Sequence, residues 1–459
     1  MSEPRNDWAC GRQRLAESVE DVKLLALDHY SLPDLQSLRD AAGGQAQIRA
    51  LPYEFLSWEA LQIFPPAVST RLEAFASPEY EVYRARYATR LNEILEEQFV
   101  KEQFDAFVAP SDIFYYIRAA REACHRLGVP FFVVEKETTL TEHDFRTLPR
   151  KLHLSVPPVA DRRTVCSERM RDLWVRSGAD PQRVTVTGQP RFDYYAHPER
   201  WPGTAPFGDG GPVVLFLSYL PHAYQPESGE TWETLHKQSE EALWELATRG
   251  WRVLVKPHPQ QDFETEHRRM RREGGSLVGE RVFLLQANSD VRPLIATSDV
   301  VLGFQTTALF EAMIAEKPVV FTGWDEVSQR ASDELIRFWD WPEALEVVDR
   351  PDRLVETVER AREWRSDAGV MDARRRIFAE QLGPCDGAAS LRALACIRQE
   401  VERFAAARSA TTVAHREEVI RRKPRPQLGR RVRRGASRAR RLVRLRTRAR
   451  SLLRAVAGS

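Results

Sequence analysis

The chain has 459 residues, 42% hydrophobic and 29% charged, which is typical of a globular protein with more than one domain. No apolar run approaches the ~18 residues of a membrane-spanning helix, and MSEPRNDWACGRQRLAESVED lacks the apolar core of a signal peptide. The five cysteines are scattered without CxxC spacing, which predicts reduced thiols in a cytoplasmic protein and argues against a zinc site.

The first half of the chain alternates short apolar strands with helices. Strands are predicted at 21–27, 47–51, 105–110, 129–134, 163–166 and 184–188. Helices are predicted at 71–103, from Ser111 to His125 and from Ser167 to Ser177, with Ser111 and Ser167 as N-caps.

A Pro- and Gly-rich stretch at 194–212 interrupts this rhythm and predicts a linker. The alternation then restarts, with strands at 213–219, 251–256, 281–286, 299–304, 317–323 and 345–348. Short apolar strands between helices indicate parallel sheets covered on both faces. The predicted fold is α/β, with two Rossmann-like domains at 1–193 and 213–408 facing across a cleft, the linker at 194–212, and a tail at 409–459.

The segment LVKPHP places Lys256 and His258 directly after a strand, between prolines that stiffen the loop. Ligands of such sheets bind beyond the carboxyl ends of the strands, and a cation with an imidazole suits a phosphate or pyrophosphate. The alternative is a proline-rich connection with incidental polar residues. His222, in a long polar loop after another strand, is predicted at the same edge.

The segment SDVVLGFQTTALFEAM ends a strand at Gly303 and opens a helix with Gln305, Thr306 and Thr307. Backbone N–H groups at a helix start, together with two hydroxyls, suit an anion. Glu311, one turn inside, could accept the hydroxyls of a ribose. The alternative is a threonine cap followed by a solvated acid.

Carboxylates and a histidine follow the strands of the first half and are candidates for a catalytic base. They are Asp28, His29, Glu135 and Glu137, and Asp112 lies at the same edge. The residues leave the choice among them open, and pairing of the two glutamates with Lys136 is the structural alternative.

The stretch VTVTGQPRFD leaves a strand through Gly188, which allows close backbone approach, and Pro190. Arg191 could reach a phosphate or pair with Asp193 to hold two domains in register.

Together, TGQPRFD, VKPHP and SDVVLGFQTTALFEAM resemble the GT-B superfamily of nucleotide-sugar glycosyltransferases. The resemblance is to the surface-carbohydrate group related to CDP-glycerol glycerophosphotransferases, and it covers roughly 180–325. It implies a C-terminal nucleotide-donor domain and an N-terminal acceptor domain. By this resemblance Lys256 and His258 would lie near the donor phosphates, Thr306 and Thr307 at the pyrophosphate, and Glu311 at the ribose. The chain lacks a DxD-like metal motif after a strand, which fits a metal-independent enzyme without a cofactor.

The tail is strongly basic. From Arg421 onward it holds sixteen Lys or Arg and no Asp or Glu, which leaves 52 basic and 66 acidic residues in the remainder. Apolar residues at three- and four-residue steps among the arginines predict an amphipathic helix on an anionic membrane. The membrane-facing residues would include Arg433, Arg434, Arg440, Arg441, Leu442, Leu445, Leu452 and Leu453. A disordered tail and nucleic-acid binding are the alternatives, and nucleic acid is disfavoured because no aromatics are interleaved.

The sequence therefore predicts a glycosyltransferase on the inner face of the cell membrane. It would move a sugar from a nucleotide-sugar donor to a hydroxyl of a surface-polysaccharide or lipid-linked acceptor. A CDP-glycerol-type glycerophosphotransferase and a nucleotide-sugar 2-epimerase are alternative enzymes. An Arg-tailed nucleic-acid-binding or scaffold protein is the alternative of another class.

Overall fold

The computed structural model describes residues 21–28, 32–69, 73–202, 211–221, 232–259, 261–324, 332–364 and 367–422. Within them the chain divides into two compact units. One comprises 21–134, 159–163 and 391–422, and the other comprises 135–158 and 164–390. The predicted boundaries at 193, 212 and 408 stay a prediction, and the membrane-facing residues predicted for the tail lie outside the described residues.

The first sheet has six strands in the order β2-β1-β3-β4-β5-β6. They are β1 (Val22–Leu27), β2 (Ala46–Leu51), β3 (Ala106–Ala109), β4 (Phe131–Val134), β5 (Arg162–Val165) and β6 (Val184–Val186). The pairings of β1 with β2 and β3, and of β3 with β4, are parallel. Every residue of β3 and β4 is buried, as expected for apolar strands covered on both faces.

Helices of this half of the chain are α1 (Leu32–Ala42), α2 (Tyr53–Leu61), α3 (Glu81–Lys101), α4 (Tyr115–Arg118), α5 (Ala120–Arg126), α6 (Glu142–Ser155) and α7 (Glu168–Arg176). The cap predicted at Ser167 is confirmed, because its hydroxyl accepts from Met170 N at 3.3 Å. The helix predicted to start at Ser111 is wrong at its start. It begins at Tyr115, and the Ser111 hydroxyl accepts from Ile113 N at 3.5 Å in the turn before it.

The second sheet also has six strands, in the order β9-β8-β7-β10-β11-β12, and its five pairings are parallel. The strands are β7 (Val213–Leu217), β8 (Arg252–Lys256), β9 (Val282–Leu284), β10 (Val300–Gly303), β11 (Val319–Thr322) and β12 (Glu346–Val348). This is the Rossmann order 3-2-1-4-5-6. The two parallel six-stranded sheets confirm the predicted α/β fold class.

The helices that follow β7 are α8 (Glu233–Thr248), α9 (Phe263–Gly274), α10 (Val291–Thr297), α11 (Ala308–Ile314), α12 (Leu354–Arg362), α13 (Ala368–Gln381), α14 (Ala389–Ala406) and α15 (Ala410–Arg421), with an irregular helical turn at Leu277–Glu280. In the first unit, Ala393, Leu394 and Ile397 of α14 belong to the core formed with β1, β3 and β4. The final helices therefore stabilise the first sheet.

The strand register places a topological switch point at β7. Leu217 pairs with Lys256 of β8 on one side and with Gly303 of β10 on the other. Neighbouring strands lie ~4.8 Å apart, so the Cα atoms of Lys256 and Gly303 are roughly 10 Å apart at the carboxyl edge. Ligands of open α/β sheets bind at such an edge.

Within the described residues, no helix is both long enough and apolar enough to cross a bilayer. The same residues hold no cluster of three His, Cys, Asp or Glu side chains arranged for a metal ion. Among the described cysteines, Cys124 and Cys166 are buried free thiols.

Candidate functional site

Lys256, the last residue of β8, carries a half-buried ammonium at the carboxyl edge of the second sheet. Its Nζ donates to the carbonyl oxygens of Ala287 at 2.8 Å and Pro257 at 2.9 Å. Burial lowers the pKa of Lys256 to about 8, although the Asp290 carboxylate works in the opposite direction. Lys256 is therefore mostly cationic at neutral pH and easily discharged above it.

His258 follows on the same rigid loop. The loop closes on itself, because His258 N donates to Gln261 Oε1 at 2.6 Å and Gln261 N donates to the His258 carbonyl at 2.9 Å. Burial, aided by the charge of Lys256, lowers the pKa of His258 to about 4. The loop thus presents one ammonium and one neutral imidazole.

A second cation, Arg292, was not among the sequence predictions. Asp290 caps α10 by accepting from Arg292 N at 3.0 Å, and it also accepts from Arg292 Nη2 at 2.7 Å. Arg292 is only 4% exposed, and its guanidinium lies 5.1 Å from the centre of the Tyr194 ring. Because Asp290 also acts on Lys256, one carboxylate balances two cations. In the sequence, the signal that could have identified Arg292 is an acid, Asp290, followed two residues later by an arginine, between a strand and a helix.

Glu311 of α11 is buried at 4% exposure, so the interpretation as a solvated acid is wrong. Arg191 Nε lies 3.3 Å from Glu311 Oε1, and the Tyr195 hydroxyl donates to Oε2 at 2.8 Å. Burial, and then the Glu311 charge, raises the pKa of Tyr195, which keeps the hydroxyl protonated as a donor. The turn Pro190–Ala196 thereby orients the carboxylate, and sequence reasoning missed Tyr195.

The end of α11 is held by a buried cation. Arg374 donates to the carbonyl oxygens of Ala344 at 3.0 Å, Met313 at 3.2 Å and Lys317 at 2.9 Å. Burial lowers the pKa of Arg374 to about 10. Three carbonyl acceptors around one guanidinium fix the helix that carries Glu311.

The stretch that contains Arg191 is anchored in the second unit. Gly188 has a positive φ of 80°, and Gln189 Nε2 donates to the Glu135 carbonyl at 3.1 Å. Arg191 Nη1 donates to the Lys136 carbonyl at 3.1 Å. Asp193 accepts from Ala389 N at 3.0 Å and Ser390 N at 2.7 Å, which gives this acid a capping role at the start of α14.

Gly303 lies in the row of strand ends, where a side chain would be crowded. A Cβ there would meet Leu309 Cδ2 at 3.2 Å and Leu217 Cβ at 3.3 Å, so packing alone explains the glycine. Gln305 is buried, and its amide donates to the Ile336 carbonyl at 3.0 Å and accepts from Ile336 N at 2.7 Å. Both ends of that amide are engaged within the protein.

Thr306 and Thr307 lie at the start of α11. Thr306 Oγ1 accepts from Ala308 N at 3.3 Å, whereas Thr307 makes no side-chain capping bond. The predicted contact of their hydroxyls with a pyrophosphate stays a prediction.

The candidate bases have different surroundings. In the first unit, Asp28 Oδ1 accepts from Tyr53 N at 3.1 Å. In the second unit, Glu135 is 2% exposed and its Oε1 accepts from Lys136 N at 3.2 Å, whereas the Glu137 side chain is 43% exposed and ion-paired with Lys136. His29 and His222 lie outside the described residues.

Asp112 has a structural role in the first unit. Its side chain pairs with Arg163, and both side chains are buried. It also accepts from Val159 N at 2.7 Å and Ala160 N at 2.8 Å. Burial pushes the pKa of Asp112 up, but Arg163 and the two backbone donors outweigh it and hold the pKa below its ordinary value.

The cations and carboxylates of this site come together in the second unit. Lys256 and Arg292 surround Asp290, and Arg292 also acts electrostatically on Glu311, which Arg191 and Tyr195 hold. The arrangement is a set of cations beside two oriented carboxylates at the carboxyl edge of a Rossmann sheet. Such a set can hold a phosphate group and a polyhydroxy group side by side.

The sequence matches no protein-family model and no curated protein sequence. Among solved structures, the chain is similar to a variant of the wall teichoic acid polymerase TagF, with a TM-score of 0.51 and 11% identity over 84% of this chain and 90% of that one. This likeness confirms the predicted fold class, which is α/β with two Rossmann-like domains.

Two further structures match over most of their length. A UDP-N-acetylglucosamine 2-epimerase from Listeria monocytogenes gives a TM-score of 0.49 at 15% identity, over 83% of this chain and 97% of that one. HepE from Anabaena, in complex with UDP-glucose, gives 0.39 at 14% identity, over 84% and 99%.

Proposed function

We propose that the protein is a glycosyltransferase that moves a sugar from a nucleotide-activated donor to an acceptor hydroxyl. The observation that carries this proposal is the clustering of Lys256, Arg292 and Arg191 around Asp290 and Glu311. The cluster lies in the unit whose sheet has the order 3-2-1-4-5-6, and its Lys256 ends a strand beside the switch point.

The cations serve the diphosphate of the donor. Departure of a nucleoside diphosphate leaves negative charge on its terminal phosphate, and preorganised cations in a buried site stabilise that charge. Lys256 and Arg292 already share Asp290, so an incoming phosphate gains two cations that are held in place before it arrives. His258, with its pKa of about 4, enters as a neutral hydrogen-bonding group.

Glu311 serves the ribose of the nucleotide. Arg191 and Tyr195 hold the carboxylate in one orientation, and the ribose hydroxyls would donate to its oxygens.

In the reaction, the acceptor hydroxyl attacks the anomeric carbon, the bond from that carbon to the diphosphate oxygen breaks, and a base takes the hydroxyl proton. Glu137 is the most accessible described candidate in the second unit, and Asp28 is the candidate in the first. The acceptor would be a surface polysaccharide or a lipid-linked glycan, and the enzyme would work on the cytoplasmic membrane surface through its basic tail.

A glycerophosphotransferase is the second candidate. It is favoured by the likeness to TagF, whose name describes a wall teichoic acid polymerase. In that case the acceptor oxygen would attack phosphorus in CDP-glycerol, and CMP would leave. The same cations would serve it, so the donor must be identified directly.

The test is a thermal-shift screen of UDP, UDP-glucose, UDP-GlcNAc, CDP, CDP-glycerol, GDP and ADP. We expect a nucleotide sugar to raise the melting temperature of the wild type, and Lys256→Met and Arg292→Met to reduce that rise. Lys237→Met is the matched control, because the Lys237 side chain is 79% exposed. Stabilisation by CDP-glycerol alone would favour the second candidate, and no response to any nucleotide would refute both.

A further inference from the structure

A row of linked polar side chains begins one residue beyond β7. Its other end lies outside the cluster of Lys256, Arg292 and Arg191. Ser218 Oγ lies 3.1 Å from His236 Nε2, and His236 Nδ1 faces Glu240 Oε2 at 3.6 Å. Arg269 donates to both oxygens of Glu240, at 2.7 Å and 2.6 Å. The row consists of Ser218, His236, Glu240 and Arg269, and Ser218 lies at the switch point.

The partners of His236 fix its tautomer. Burial raises the pKa of Glu240, and Arg269 opposes that rise by donating to both carboxylate oxygens. These oxygens act as acceptors, so the imidazole proton belongs on Nδ1, the ring nitrogen that faces Glu240. Nε2 is then the acceptor, and the Ser218 hydroxyl donates to it. Burial, followed by the charge of Arg269, lowers the pKa of His236 to about 4, so this arrangement holds at neutral pH.

The direction of the Ser218 hydroxyl has a chemical consequence. Its only proton is directed to His236, and Ser218 therefore offers lone pairs to anything that meets it. Ser218 is 9% exposed, and its backbone N–H donates to the Lys256 carbonyl at 3.0 Å, which places it beside the cation cluster. An anionic oxygen would be repelled at this position, whereas a hydroxyl or amide N–H would be accepted.

His236 has the wrong properties for a base. A pKa of about 4 makes it a poor proton acceptor at neutral pH, because general bases work best near the operating pH. Its surroundings also favour fixed packing, since the ring meets the Tyr219 ring edge-on at 4.9 Å. The row of side chains is therefore suited to holding the proton of the Ser218 hydroxyl in one direction, towards His236 Nε2.

The geometry points to Ser218 as a specificity-determining residue that accepts a hydrogen bond from a hydroxyl or N–H of the donor's glycosyl group. His236, Glu240 and Arg269 act as positioning residues that keep its lone pairs available. This inference rests on the proposed function. It adds a contact with the sugar part of the donor that is distinct from the contacts of the cations with the donor phosphates.

The experiment compares the binding of UDP-glucose and UDP by calorimetry. Should another sugar nucleotide give the largest shift in the screen above, it and its diphosphate form the pair. Ser218→Ala should weaken the sugar nucleotide about fivefold, the effect of one hydrogen bond, and leave the diphosphate unchanged. His236→Phe keeps a ring in place but removes the acceptor, and should reduce the same preference. Ser239→Ala, which removes a buried hydroxyl that donates to the Leu235 carbonyl, should change neither affinity.

The outcomes separate the two proposals. If Ser218→Ala weakens sugar nucleotide and diphosphate equally, Ser218 meets phosphate or supports the fold, and the inference is wrong while the proposed function stands. If Ser218→Ala changes neither affinity at an unchanged melting temperature, the inference is also wrong. If the wild type binds no nucleotide, the proposed function fails and the inference fails with it.

Discussion

The charged side chains that follow the strands of the two sheets are held differently. In the first sheet the acids Asp28 and Asp112 accept from backbone amides, and Asp112 pairs with a buried arginine. In the second sheet Lys256 and His258 have pKa values lowered by burial to about 8 and about 4. The acids accept hydrogen bonds from the fold, whereas burial works against the charge of Lys256, and an anionic ligand would relieve that cost.

Under the proposed function, Asp112 beyond the end of β3 serves stability, whereas Lys256 at the end of β8 serves ligand binding. Asp112 gains from its environment, since its pKa is held below the ordinary value despite burial. Lys256 loses from its environment, since its pKa falls below 10.5. Substitution of Asp112 should therefore reduce stability, whereas substitution of Lys256 should reduce nucleotide binding.

The largest effect is expected from Asp112→Ala. Removing the carboxylate leaves the Arg163 guanidinium buried without its charged partner and orphans two backbone amides, which should cost about 3–5 kcal/mol in the free energy of unfolding. Urea denaturation measures it. Asp172→Ala is the control, because the Asp172 side chain is 63% exposed in its pair with Arg176, and a change below about 1 kcal/mol is expected. Equal losses would show that burial of the pair is unimportant.

Lys256→Met should separate binding from stability. Loss of a charge-assisted contact should weaken UDP about 10- to 100-fold in calorimetry. The free energy of unfolding at pH 7 should not fall, because the protonated ammonium is costly to bury below pH 8 and this cost vanishes only as pH rises from about 8 to 10.5. If Lys256→Met lowered the free energy of unfolding and left the affinity for UDP unchanged, the assignment of Lys256 to ligand binding would be wrong.

The pH dependence of diphosphate binding should follow the Lys256 charge. An anion prefers the protonated form, so affinity should be level up to about pH 8 and then fall by up to about tenfold per unit. Titrations of UDP from pH 7 to 9.5 measure this. Lys256→Met should bind weakly but without the fall, and a parallel fall in that variant would assign the titration to another group.

Tyr195→Phe should have the smallest effect. It removes one hydrogen bond to the Glu311 carboxylate and should cost about 1 kcal/mol in stability, with a few-fold loss in affinity for UDP. Tyr194→Phe keeps the ring beneath Arg292 and serves as the control. If inorganic pyrophosphate binding weakens as much as UDP binding, Tyr195 acts on the phosphate region and its role through Glu311 and the ribose is wrong.

Much of the second sheet was predictable because its signals are local. Uninterrupted apolar runs predicted β7, β8 and β10, and residues that follow such strands must lie at the carboxyl edge of a parallel sheet. Lys256 and His258 could therefore be selected from their neighbours in sequence alone. The Ser167 cap was found for the same reason, since a cap and its helix are adjacent.

The misses depend on distant partners. Tyr195 acquires its role from Glu311, 116 positions away, and Asp112 from Arg163, 51 positions away. The helix start at Ser111 failed because the chain turns through three further residues before the helical bonds begin at Tyr115. No pattern near any of these residues marks its partner.

Local sequence patterns are enough to predict the alternation of strands and helices, the parallel sheets, and the cationic loop after β8, because apolar periodicity and strand ends are local properties. Which charges face each other depends on the folded arrangement of the chain. Tertiary structure has three consequences here. It buried Glu311 against Arg191 and Tyr195, gave Asp290 two cations, and aligned Ser218, His236 and Glu240 beside Lys256. The reason is physical: burial and Coulomb interaction depend on distances in space, and folding brings together side chains that the linear order keeps apart.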